Sequence, residues 1–151
     1  MDENFEKVKK EVNQFFTLLG VEGEIEVLPP KDSTYFVNVK TDDPQSLIGE
    51  KGETLFEIQH LLKAILKRKI NENFYIDLDI NDYKKKKIKY LKDLAKEIAD
   101  EVALTKKEKI LPPMPAYERR IIHLELAQRT DVTTQSIGQE PERRVVIKPY
   151  P

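Results

Sequence analysis

The chain has no cysteine, which excludes a disulfide framework and any thiolate metal site. Histidine is nearly as scarce, with only His60 and His123; His60 carries no motif and is read as helix surface. No metal and no other cofactor is therefore expected. Long apolar runs are also missing: nothing approaches the roughly 18 residues of a membrane helix, so no integral membrane segment is expected. Met1-Asp2-Glu3-Asn4-Phe5 is acidic and lacks the apolar stretch of a signal peptide, and the chain is read as soluble and cytoplasmic. A phosphate-binding P-loop, a paired-carboxylate metal motif and a nucleophile placed beside a base are all absent, so no enzyme is expected. Net charge of one sign is missing too, at −1 overall. That total hides an asymmetry. Residues 1–80 hold 10 Lys+Arg against 16 Asp+Glu, and residues 81–151 hold 16 against 11. Any footprint for a polyanion should lie mainly in the C-terminal half.

The 151 residues suffice for one domain or two small ones. Phe5, Val8, Val12, Phe15, Phe16 and Leu19 recur at helical spacing, and Gly20 stops that helix. Alternation over 24–28 and 35–39 predicts two strands with a turn at Lys31-Asp32-Ser33. A short helix over 44–48 opens with Pro44 after Asp43 as N-cap. A longer helix covers about 53–70, and a third strand 74–80. Asn81-Asp82 is the expected N-cap of a helix over 83–104, whose first turn holds Lys84-Lys85-Lys86-Lys87. Cations at that end oppose the helix dipole. They are either a patch for phosphates or solvated lysines beside Asp77, Asp79 and Asp82. Beyond Pro112-Pro113-Met114-Pro115, with a short strand before it, comes a helix over 116–128 with Pro115 at N1. A closing hairpin, 132–137 and 144–147, follows.

Between the second and third of these helices lies Leu47-Ile48-Gly49-Glu50-Lys51-Gly52-Glu53-Thr54-Leu55. Glycine has no Cβ and lets backbone approach a ligand, and the loop feeds a helix N-terminus, where free amides favour an anion. The alternative is a tight turn between packed helices. The Ile48-Gly49-x-x-Gly52-x-x-Leu55 frame, set in an α-β-β-α-α-β order, resembles the KH family of single-stranded nucleic-acid binders, in its type II form. The resemblance implies that Ile48, Gly49, Glu50, Lys51 and Gly52 contact nucleic acid, with Ile48, Leu55 and Ile58 flooring a base groove. Glu50 is a departure, because that loop usually carries basic or neutral residues.

Arg119 and His123 are four apart on one helix face. A guanidinium fork matches phosphate oxygens, and imidazole can add a donor, with charge below about 6.5. With Arg120 they form the second candidate site, and Arg119 and His123 are expected to share one phosphate. The competing reading makes His123 a packed, hydrogen-bonded histidine. The pair resembles the R-3-H domain, a single-stranded nucleic-acid module. With Pro112-Pro113-Met114, Tyr117-Glu118-Arg119-Arg120 and the run from Ser136 to Ile147, the chain resembles the bacterial Jag family, which joins a KH domain to an R-3-H domain. The resemblance implies an α+β protein, with a type II KH domain over 1–81 and a small α/β R-3-H domain over 82–151. Many Jag proteins carry a further N-terminal domain, and this chain starts almost at the KH helix. The family implies single-stranded RNA, or single-stranded DNA, as ligand. It also implies a small KH-only protein as partner and a role in cell elongation, division or envelope regulation. The competing function is a protein-interaction adaptor that kept the fold and lost RNA affinity.

Overall fold

A computed structural model describes residues 3–151; Met1 and Asp2, part of the acidic N-terminus, lie outside the described residues. The chain is α+β and divides into two compact units, the first ending at Lys84 and the second running from Lys85 to Pro151.

In the first unit α1 (Glu3–Leu18) buries Val8, Val12 and Phe16, one side chain per turn. Next come β1 (Gly23–Val27) and β2 (Thr34–Thr41), antiparallel, then α2 (Pro44–Ile48), a single 3-10 turn (Glu50–Gly52) and α3 (Glu53–Lys67). β3 (Tyr75–Ile80) returns parallel to β2 and forms the edge of a sheet ordered β1-β2-β3. A parallel return needs a crossover, and α2 with α3 is that crossover. The element order is the α-β-β-α-α-β of the type II KH fold. Tyr35, Val37 and Val39 from β2 and Ile76, Leu78 and Ile80 from β3 alternate inward onto Leu55, Ile58, Leu62 and Leu66 of α3, as a half-buried sheet requires.

The second unit is built on α4 (Tyr83–Thr105), whose Leu91, Ala95, Ala99 and Val102 form a buried seam. β4 (Lys109–Ile110), α5 (Ala116–Leu126), β5 (Val132–Ile137) and β6 (Arg144–Pro149) complete it, in an antiparallel sheet ordered β4-β6-β5. Ile122 and Leu126 of α5 close the core over Val145 and Ile147.

Asp43 is the N-cap of α2, as expected, but makes no side-chain bond to the helix backbone; its carboxylate accepts from Ser46 Oγ at 2.9 Å. Two other expected caps are corrected. Pro115 is the extended residue before α5 rather than its first helical residue, and its carbonyl accepts from the amides of Glu118 and Arg119. Asn81 and Asp82 both have positive φ (49° and 58°), unlike an N-cap, which is extended. Asn81 reaches sideways and exchanges two 2.9 Å bonds with the Thr41 backbone. The buried Asp79 does the capping: its Oδ1 accepts from the Lys84 amide at 2.8 Å and the Ile80 amide at 2.9 Å. Lys84 Nζ meanwhile donates to Asp77 Oδ1 (2.9 Å) and Gln59 Oε1 (2.6 Å). These bonds lie within the first unit, to which Tyr83 and Lys84 at the start of α4 belong.

Candidate nucleic-acid interface

The glycine turn is built by its two glycines. Gly49 has φ 74° and ψ −178°, a conformation essentially confined to glycine, and a Cβ there would lie 2.1 Å from Thr54 Oγ1. Gly52 has φ 82° and ψ 9°, and its Cβ would lie 3.0 Å from the Tyr83 ring. Between them Lys51 is left-handed as well, at φ 56°. Gly49 N–H donates to Gln45 O (2.9 Å) and Gly52 N–H to Gly49 O (3.3 Å). Two of the four amides expected to meet a phosphate are thus engaged within the chain, which leaves those of Glu50 and Lys51 for a ligand. The Glu50 and Lys51 side chains are exposed, whereas Ile48 is buried. Leu55, with no exposed surface, and Ile58 belong to the hydrophobic core. They pack beneath the loop and do not floor an open groove: they point to the sheet because α3 needs that face for the core.

In the second unit the structure brings Arg119 and His123 together, but on a hydroxyl of the protein. Arg119 is only 7% exposed. Its Nε donates to Met114 O (3.2 Å) and its Nη1 to Ser136 Oγ (3.2 Å), and its Nη2 is ion-paired with Glu140. His123 Nε2 lies 2.9 Å from the same Ser136 Oγ, and Nδ1 lies 2.7 Å from Thr134 Oγ1. A neutral ring has one donor and one acceptor, and two hydroxyls satisfy either tautomer. Burial lowers the His123 pKa below its ordinary 6.5, and the Arg119 charge lowers it further. The expected gain of charge near 6.5 is therefore moved to lower pH. Arg120, one residue round the helix, is exposed. Glu118, on the buried side, pairs with Lys87 at 3.8 Å.

Of the lysine run, Lys84 and Lys87 are engaged with carboxylates, which agrees in part with the solvated-lysine reading, and Lys85 and Lys86 are exposed. His60 is on the α3 surface. Sequence reasoning does not single out Ser136, Thr134 or Glu140 as site residues. A signal exists for the first two: residues two apart on a strand share a face, so whatever faces α5 through Ser136 also does so through Thr134. Glu140 has no such signal, since a hairpin loop brings it back to α5. His123 is bonded to the hydroxyls of Thr134 and Ser136, and Ser136 is also held by Arg119, so these side chains brace α5 against β5.

Comparison with known proteins places this geometry. The R-3-H domain family matches residues 89–149. The chain is 40% identical over 111 residues to a Clostridium symbiosum protein named RNA-binding protein KhpB, covering 74% of this chain and 50% of that protein. It is 38% identical to the protein of that name from Lactiplantibacillus plantarum, covering 74% and 34%. To the one from Bacillus subtilis it is 36% identical over 103 residues, covering 67% and 50%. The chain thus matches a third to a half of the length of these relatives. By that domain and these relatives, the chain belongs to the Jag family.

Proposed function

We propose that this chain binds single-stranded RNA through two modules, a KH-type module in the first unit and an R-3-H module in the second, and that it is not an enzyme. The observation that carries the reading is the glycine turn. Its conformation leaves no room for a Cβ at Gly49, and it presents the Glu50 and Lys51 amides at the head of α3, where a phosphate is favoured. Arg119, Arg120 and His123 are the phosphate contacts of the second module. For Arg119 and His123 this requires that the ligand displace bonds now made to Glu140 and Ser136. Relatives that bind RNA by name support the same ligand, with single-stranded DNA as its chemical near neighbour. A cytoplasmic role in cell elongation, division or envelope regulation, with a small KH-only protein as partner, is the biological setting we infer from the family.

Exposed Glu50 in the turn favours the second reading, a protein-interaction adaptor without RNA affinity. Binding of a random single-stranded RNA pool at several salt concentrations separates the two. Contact with three or four phosphates gives a slope of log K against log [salt] of roughly −2 to −3. No binding, or a flat dependence, supports the adaptor. Replacing Glu50 and Lys51 together by aspartates sets negative charge against the phosphate at a position that tolerates it, since Asp accepts the left-handed conformation. Circular dichroism is expected to stay unchanged while the first module loses RNA.

A further inference from the structure

A guanidinium taken out of water as far as that of Arg119 needs an anion beside it. Among the described residues Glu140 supplies that anion through Arg119 Nη2, and Glu140 makes no other hydrogen bond or ion pair. The other two acceptors of Arg119, Met114 O and Ser136 Oγ, are neutral and are held in place by other bonds. Met114 N–H donates to Arg143 O at 3.1 Å, and Ser136 lies within β5 and also meets His123. Glu140 has no such anchor. It sits in the loop between β5 and β6 with an exposed side chain, and the bonds of that loop are made by its neighbours. Glu142 N–H donates to Gln139 O (2.8 Å) and Arg143 Nη1 to Gly138 O (2.6 Å). The carboxylate can therefore leave Arg119 without unpairing either strand. A carboxylate offers a guanidinium what a phosphate offers, a negative charge with two acceptor oxygens in one plane. The two cannot share one donor without setting like charges side by side.

We propose that Glu140 is an internal competitor for phosphate in the second unit: its carboxylate fills the anion position of Arg119 in the free protein and is displaced into solvent by a backbone phosphate of RNA, so that Glu140 sets the affinity of this module. This rests on the RNA-binding reading of Arg119 and His123. The exchange keeps the buried guanidinium paired in both states. Releasing Glu140 lowers the affinity, but only modestly, because an exposed carboxylate recovers its water.

Glu140→Gln keeps the shape of the side chain and removes its charge. In a fluorescence-anisotropy titration with a labelled short oligouridylate, it is expected to bind about twofold to fivefold more tightly than the parent, the cost of releasing one partly exposed ion pair. Glu140→Ala should show the same gain. Glu142→Gln removes the same charge from the same loop, but Glu142 pairs with Arg144 and not with Arg119, so it should show no such gain. By NMR, the Arg119 Nε–H resonance should shift on adding the oligouridylate to the parent, and at lower RNA concentration in Glu140→Gln. Equal or weaker binding by both Glu140 variants, or an equal gain in Glu142→Gln, overturns the competitor role and leaves the RNA-binding reading standing. RNA that binds without moving the Arg119 resonance, in the parent and in Glu140→Gln alike, overturns the phosphate contact of Arg119 and the competitor role with it. No binding by the parent or by either Glu140 variant overturns the RNA-binding reading as well.

Discussion

Arg119 is the position at which a purely ligand-binding role and a structural role predict opposite behaviour. Its side chain joins three segments: the approach to α5 through Met114 O, strand β5 through Ser136 Oγ, and the loop between β5 and β6 through Glu140. A hydrogen bond from a charged donor contributes about 1.5–3 kcal/mol net. Glu140 is 59% exposed at its side chain and recovers water on losing its partner, so its pair counts for little. Met114 is buried, and its carbonyl would lose a partner that water replaces poorly. Weighing these, Arg119→Ala should destabilise the second unit by about 3 kcal/mol. If that unit melts as a domain of its own, the melting temperature falls by roughly 12–24 °C, at 4–8 °C per kcal/mol. Arg119→Lys keeps the charge but one ammonium cannot reach three acceptors in the same fork, and should cost about 2 kcal/mol. Calorimetry of both variants, beside RNA affinity measured well below the lower melting temperature, is the assay. A drop of under about 3 °C for Arg119→Ala would refute the bracing role and leave Arg119 as a ligand contact alone.

Acidification tests His123. Its folded pKa lies below the unfolded 6.5, so the stability it confers is complete above about 6.5 and is lost as pH falls through the lowered value. Melts between pH 7.5 and 5.5 should show a decline that His123→Gln lacks, and parallel curves would contradict the shift. Gly49→Ala should destabilise more than Gly52→Ala. The first puts a methyl against Thr54 and its backbone, and the second only against the edge of a movable Tyr83 ring in a left-handed conformation worth about 1–2 kcal/mol of strain; chemical denaturation ranks them. Asp79→Ala removes the acceptor from the first turn of α4 and should cost about 1–2 kcal/mol; a chemical-denaturation midpoint that does not move would refute the cap.

Much of the architecture was legible in the sequence because its causes are local. The 3- and 4-residue recurrence from Val8 to Phe16, the alternation of Tyr35, Val37 and Val39, and the two glycines three apart follow from covalent geometry and burial of one face. The Arg119–His123 pairing on one turn of α5 is local in the same sense. The cap of α4 was not legible. Asp79 and Asp82 are the same residue type on either side of Asn81, and which one meets the α4 amides depends on two consecutive left-handed residues that turn the chain back. Leu55 and Ile58 carry the same apolar signal whether they line a groove or a core, and only the position of the sheet assigns them to the core.

The sequence by itself therefore determined the elements, their order, the α+β class and the family resemblance, all of which depend on spacing along one chain. Tertiary structure decided what the candidate side chains touch. Arg119 and His123 meet at Ser136 because the hairpin of β5 and β6 packs against α5, and the Gly49 and Gly52 amides are engaged because α2 ends where the turn begins. Hydrogen bonds are satisfied in space, between residues 13 to 21 positions apart in the second unit, and no period in the sequence encodes such a distance.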